Sequence, residues 1–269
     1  MAKNEISLTS VCASLAYAMG VDAPANAEKA SDVLCNYIDE AFGGKKADRV
    51  FMYNPDAIAQ WLVEKYPELV FFRTEEYFDL KLPLCSVMPS VTPVCFGTMY
   101  TGANPSVHGI QKYEKPVIKI DTFFDALIRC GKKPAIIADC ECSLGKIYLE
   151  RDMDYFICAN VNEINAVAAE VIRRDEHDFI LVYNGNYDST MHKMGPESPV
   201  ALGELRANVR TFAMFSEIIE KHWKNHNTLV GFAMDHGCHE IDGGCGSHGL
   251  DMDENLNIAH FYKAYPKIG

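Results

Sequence analysis

Phe179-Ile180-Leu181-Val182-Tyr183 is a run of five apolar residues with no polar position between them. A strand wetted on one side alternates apolar and polar residues, whereas one covered on both faces reads as a continuous apolar run, so this stretch predicts a buried strand. Leu229-Val230-Gly231-Phe232-Ala233-Met234 has the same character, and residues 49–53 read the same way. Residues 134–138 and 155–158 read as further strands. Between them lie helical patterns over residues 122–130 and 162–174, and Leu202, Leu205, Val209, Phe212, Phe215 and Ile219 mark a long amphipathic helix. Residues 55–66 read as a helix with Pro55 in its first turn, and residues 69–72 as a strand. Strands alternating with helices predict an α/β chain, a three-layer α/β/α sandwich around a mostly parallel sheet.

Ahead of this alternation, residues 15–19 and 27–42 carry apolar residues at helical spacing and end at Gly43-Gly44, so residues 1–48 are expected to be a helical preamble packed on the core. No linker or repeat divides the 269 residues, and one catalytic domain over 1–269 is expected. The formal net charge of −12 argues against a nucleic-acid polymer as partner, because that affinity comes from lysines and arginines neutralising phosphates. Ten cysteines are scattered without a Cys-x-x-Cys pair, and the first twenty residues hold no basic region leading into an apolar one. No apolar run is long enough to cross a bilayer. These features place the expected protein in a reducing cytoplasm, away from membranes. Its oligomeric state is left open.

In open α/β sheets ligands bind beyond the carboxyl ends of the strands, so the polar residues there are the first candidates. Asp56 follows the strand at 49–53, Asp188 and His192 follow Tyr183, Asp235 and His236 follow Met234, and His248 lies in the glycine-rich segment after that. An Asp after a strand is most often a turn or cap residue, and a single His is most often a surface or satisfied core residue. What favours a metal site is that every such element delivers a carboxylate or an imidazole to the same sheet edge. This donor mixture suits Zn²⁺ first, with Mn²⁺ or Fe as alternatives. Thr92, in Ser90-Val91-Thr92-Pro93, precedes a short helix, where it reads either as the helix cap or as a group facing a bound anion.

In its order of motifs the chain resembles the alkaline phosphatase superfamily, and within it the nucleotide pyrophosphatase/phosphodiesterase-like branch. That branch has a Thr nine residues before a Thr-Gly pair, then a Pro and a His-Gly-Ile. Thr92, Thr101-Gly102, Pro105 and His108-Gly109-Ile110 repeat this order. Asp188 and His192 match its Asp-x-x-x-His and are followed by Gly195-Pro196. Asp235-His236-Gly237 matches its Asp-His-Gly, and His248-Gly249 its last ligand. Asp56 departs from the pattern, standing in Asn54-Pro55-Asp56-Ala57 rather than before a glycine. No long insertion separates Thr92, Asp188 and Asp235, so a cap that is reduced or absent is expected.

The resemblance implies an alkaline phosphatase-like fold and a phosphoric ester hydrolase acting on a small phosphate-containing substrate, of phosphodiesterase or nucleotide pyrophosphatase type. Phosphonate hydrolysis, monoester hydrolysis and metal or anion binding without turnover are the alternatives. It implies two divalent cations, one held by Asp56, Asp235, His236 and the Thr92 oxygen, the other by Asp188, His192 and His248. Thr92 would be a nucleophile forming a phosphothreonine, with the Val94 and Cys95 amides on the phosphoryl oxygens. A formylglycine-type sulfatase is excluded, since that conversion needs Cys or Ser where Thr92 stands. His108 is expected to fix its loop, and His177, His222 and His226 to be solvated. His239 and Cys95 are not assigned to the site. Tyr183, Asn184 and Lys193 are candidate substrate contacts by position only, and residues 145–154 are the expected loop for the leaving group.

Overall fold

The computed structural model describes residues 2–74 and 76–268. Its strands are β1 (Arg49–Pro55), β2 (Leu80–Cys85), β3 (Pro134–Asp139), β4 (Asp154–Cys158), β5 (Phe179–Asn184), β6 (Thr228–Phe232), β7 (His239–Ile241), β8 (Cys245–Ser247) and β9 (Asn257–Tyr265). Seven of them form one sheet in the order β2-β9-β6-β1-β5-β3-β4, and β7 and β8 pair as a separate hairpin. From β6 to β4 every neighbour is parallel, while β9 runs antiparallel to both β6 and β2. The sheet is therefore mixed and mostly parallel. Its middle strands β1, β5 and β6 are the continuous apolar runs, buried from end to end but for Arg49.

Alternate side chains of β1 face opposite layers, as the two-residue period of a strand requires. Phe51 and Tyr53 meet Phe215 and Phe212 of the helix Pro199–His222 on one side. On the other, Asn54 bonds Tyr100 Oη and contacts Met99 of the helix Thr92–Thr101. Helices thus cover both faces, giving the α/β/α sandwich of an alkaline phosphatase-like fold. Phe179 of β5 sits beneath the second layer with Phe123 at 5.0 Å, Phe124 at 5.9 Å and Tyr100 at 6.2 Å between ring centroids. Truncating it to alanine opens a cavity that these rings cannot refill. Phe179→Ala is expected to lower stability by about 3–5 kcal/mol in a denaturant titration, with the metal content of the folded fraction unchanged.

The preamble contributes the helices Ser10–Met19 and Asp32–Phe42, and Leu15, Leu34 and Ile38 are fully buried in the shared core. The second helix starts at Asp32 rather than residue 27, because Ser31 accepts the Leu34 amide and caps it there. Pro55 is the last residue of β1 and not a helical first turn; the helix after it runs only over Gln60–Lys65. Residues 69–72, expected as a strand, belong to the helix Pro67–Thr74, which packs beside the long helix Pro199–His222. Among the described residues no helix is long and apolar enough to cross a membrane.

Candidate active site

Asp56 follows β1 directly, Asp188 and His192 stand four apart in the helix Asn186–Met194 after β5, and Asp235 and His236 follow β6. These are the three adjacent central strands, so parallel pairing alone brings their carboxyl ends together. His248 comes from the β7–β8 hairpin, whose turn uses Gly243 and Gly244 at φ 88° and 72°. The seven residues singled out in the sequence converge. Donor atoms of Asp188, His192 and His248 lie within 4.8 Å of one another, as do those of Asp56, Asp235 and His236. Thr92 joins the second group, with Oγ1 3.2 Å from Asp56 Oδ2 and 3.4 Å from His236 Nε2. The His236 and His248 rings lie 4.2 Å apart between centroids and link the two groups.

The donor set fits divalent cations on its hydrogen bonding. Nδ1 of His192 faces the Gly246 carbonyl, Nδ1 of His248 the Ser90 carbonyl and Nδ1 of His236 the Gly237 carbonyl, each at 3.0 Å. A carbonyl only accepts, so each Nδ1 carries the hydrogen and each neutral Nε2 turns a lone pair inward. Asp188 Oδ1 then lies 3.2 Å and 3.3 Å from two such lone pairs, and those two Nε2 atoms are 3.1 Å apart. Among the described residues, Asp188 Oδ1 and Asp235 Oδ2 are buried with no hydrogen-bond partner. Electron-rich atoms crowded in this way need a positive charge among them, either a cation or a proton.

The ionisation of the groups expresses the same crowding. Burial, and then the charge of Asp188, push Asp56 up to about 7, and burial with Asp56 beside it holds Asp235 well above the usual carboxylate range. Burial also acts to raise Asp188, but its close contacts with His192 and His248 outweigh it and hold Asp188 low, while the contact with Asp188 raises His192. Desolvation, followed by the charge of His248, lowers His236 to about 3 and keeps it neutral. Backbone strain supports the second group: Ala57, at φ 63° in the left-handed region, aims its amide at Asp235 Oδ1 at 3.2 Å. Gly237 is required by contact, since a Cβ there would lie 2.1 Å from the Glu254 carbonyl oxygen.

Thr92 is the first residue of its helix and not the cap, which is Val91. The Val94 and Cys95 amides, expected on phosphoryl oxygens, both bond the Val91 carbonyl at 3.0 Å, so they are committed within the helix start. The Thr92 amide makes no such bond, and the Pro93 nitrogen has no hydrogen to give. His108 bonds Thr98 Oγ1 at 3.0 Å and accepts the Ile110 amide, fixing the loop as expected. His239 bonds Asn255 outside both groups. His177, expected in solvent, is buried against Asp154 at 2.7 Å, and His226 is half-buried against Asp175. Cys95 is buried beside Ser86.

Tyr183, named in the sequence only by its position, donates to Asp56 Oδ2 at 2.5 Å and fixes that carboxylate. Asn184 commits its amide to Tyr53 and the Asn186 backbone. A cavity of about 470 Å³ opens beside the ligand groups, lined by Asp56, Thr92, Tyr183 and Asp188. Its remaining wall comes from residues 113, 115, 139–143, 159–161, 185, 186 and 189. Lys193 is not on this wall, and of the expected leaving-group loop none is: residues 145–147 complete the helix Ser143–Ile147, and residue 154 begins β4. No motif marked Lys115, Ser143 or Asn160 in the sequence. A second cavity of about 570 Å³ lies elsewhere, between Arg129 paired with Asp121 and Arg151 paired with Asp125.

Fold and site together define an alkaline phosphatase-like α/β/α chain with two candidate metal-ligand groups around a threonine. The structure matches the nucleotide pyrophosphatase/phosphodiesterase branch of that superfamily in fold. Murine ectonucleotide pyrophosphatase/phosphodiesterase 5 superposes with a TM-score of 0.58 at 18% identity, covering 72% of this chain and 58% of that one. The human protein of the same name gives a TM-score of 0.58 at 16% identity, over 72% and 58% of the two chains. An inactive murine variant in complex with AMP gives 0.58 at 17%, over 73% and 59%. The chain thus spans just under three fifths of the length of these solved structures. No family model and no curated protein sequence matches it.

Proposed function

We propose that this chain is a metal-dependent hydrolase of phosphoric esters, of phosphodiesterase or nucleotide pyrophosphatase type, with Thr92 as the nucleophile. The observation that carries the proposal is the contact of Thr92 Oγ1 with Asp56 and His236 at the mouth of a cavity that Asp188 also lines. Asp56, Asp235 and His236 would hold one divalent cation together with the Thr92 oxygen, and Asp188, His192 and His248 the other. Such cations would supply the positive charge that lowers the pKa of the threonine hydroxyl and neutralises the phosphoryl oxygens. Zinc is our first assignment, from the mixed carboxylate and imidazole donors.

The chain's own groups do the rest. The Thr92 hydroxyl donates toward Asp56, whose second partner Tyr183 keeps the carboxylate from swinging away. Oγ1 bonds to phosphorus as the bond to the leaving oxygen breaks, giving a phosphothreonine that water then hydrolyses. The carbonyls of Gly246, Ser90 and Gly237 hold the three imidazoles in the tautomer that presents Nε2. The AMP bound by the murine relative supports a nucleotide or diester substrate, as does cavity space beyond the ligand groups.

Hydrolysis of bis-p-nitrophenyl phosphate and p-nitrophenyl phosphate, with and without a chelator, tests this. Faster turnover of the diester is expected, falling about 10²-fold or more on chelation and returning with Zn²⁺ or Mn²⁺. Faster turnover of the monoester would move the assignment to a phosphomonoesterase. Metal-loaded protein that cleaves neither would point to the anion-binding alternative.

A further inference from the structure

The cavity beside the ligand groups holds about 470 Å³, within the range of pockets that enclose a whole small ligand rather than a single phosphoryl group. Away from the metal ligands its wall offers hydrogen-bond donors. Lys115 is the single lysine or arginine on that wall. Its ammonium donates to the Glu141 carbonyl at 2.5 Å, which leaves two of its three hydrogens. Among the described residues no carboxylate lies within ion-pair distance of it, in a chain with 37 acidic and 25 basic residues. The two acidic neighbours on the wall are engaged elsewhere, Glu141 with Lys146 at 2.7 Å and Asp139 with the Glu141 amide at 3.0 Å. Asn160 accepts the Glu163 amide through Oδ1 as a helix cap, and its Nδ2 hydrogens remain. Ser143, also on the wall, is 2% exposed and adds a hydroxyl.

An ammonium, an amide NH₂ and a hydroxyl around one space suit an acceptor-rich ligand. From this wall we infer that Lys115, with Asn160 and Ser143, forms a subsite for a second anionic group on the substrate, a carboxylate or a further phosphate carried on the part that leaves. The inference rests on the proposed phosphoryl site and adds the substrate class: a phosphate ester whose leaving part is itself charged. A neutral or cationic leaving part would leave the two remaining hydrogens of the Lys115 ammonium to solvent.

Calorimetric binding to the Zn²⁺-loaded protein of propylphosphonate, 3-phosphonopropanoate and propane-1,3-bisphosphonate separates the two ideas. At least one of the doubly anionic ligands is expected to bind about tenfold or more tightly than propylphosphonate, and which one identifies the anion. Lys115→Gln should abolish that advantage, Lys115→Arg should restore most of it, and Lys112→Gln, an exposed neighbour paired with Glu114, should leave it intact. Equal binding of all three ligands overturns the subsite while the phosphoryl site stands, and so does an advantage that survives Lys115→Gln in protein of unchanged melting temperature. Absence of metal-dependent propylphosphonate binding overturns the phosphoryl site and takes the subsite with it.

Discussion

Thr92→Ala should lose turnover of the best diester by about 10³-fold or more while keeping its fold and its metal, because the substitution removes the attacking oxygen and leaves three side-chain ligands for each cation. Thr92 is 4% exposed, and among the described residues its hydroxyl bonds Asp56 and His236 alone. Alanine lacks both the hydroxyl and the γ-methyl of Thr92, a loss of two heavy atoms at the first residue of its helix. The ligands that would hold each cation are otherwise untouched, and metal analysis should find two equivalents bound in both proteins. Thr92→Ser keeps the hydroxyl and should retain turnover within about tenfold of the native chain. Acid quenching during turnover of the diester should trap a phosphoryl group that keeps its second ester on residue 92 in the native and serine proteins and none in the alanine variant. Turnover by Thr92→Ala at a native rate would show that water attacks the substrate directly.

The parts of this architecture that were legible in the sequence share a physical cause. β1, β5 and β6 are buried on both faces, so their apolar residues run without interruption, and the residues that follow them are the ones the site uses. The edge of the sheet was not legible. β2 carries Pro83 in the middle of its alternation, which weakens a strand pattern, and β9 holds a buried His260 that bonds the Met234 carbonyl and Tyr262, a polar letter in a core position. The helix Pro67–Thr74 was mistaken for a strand because a short apolar run carries no period of its own. Thr92 was legible through the spacing of its motif, but its surroundings were not: its helix is buried on every side, so no polar face marks its orientation. Lys115, Ser143 and Asn160 come from three separate segments, a loop, the start of a short helix and the cap of another, and only the fold brings them to one wall.

Asp235→Asn is expected to move stability and activity in opposite directions, which tests the cation assignment from the protein's own energetics. Asp235 is fully buried, its Oδ1 takes the Ala57 amide, and its Oδ2 has no partner. In metal-free protein an ionised Asp235 is desolvated next to Asp56, and both carboxyls hold their protons more tightly than in the unfolded chain. For Asp56 the window runs from the ordinary value of 3.8 to about 7. Within it the folded state carries more protons than the unfolded one, so Asp56 makes the stability of metal-free protein fall as pH rises through that window, and Asp235, also raised, acts in the same direction. Asparagine removes one of these charges, keeps an oxygen for the Ala57 amide, and can turn its NH₂ toward His236 Nε2, which lies 3.3 Å from Asp235 Oδ2. At pH 8 with a chelator, Asp235→Asn should therefore melt above the native chain by several degrees, a gain of about 1–3 kcal/mol. At pH 4 the two should melt together. Adding Zn²⁺ should reverse the order at pH 8, because the native chain gains binding free energy that the variant lacks, and turnover by the variant should be about 10²-fold lower or less. If Asp235→Asn is instead less stable than the native chain in chelator at pH 8, the carboxylate is a structural group satisfied without a cation, and the two-cation reading of this site is wrong.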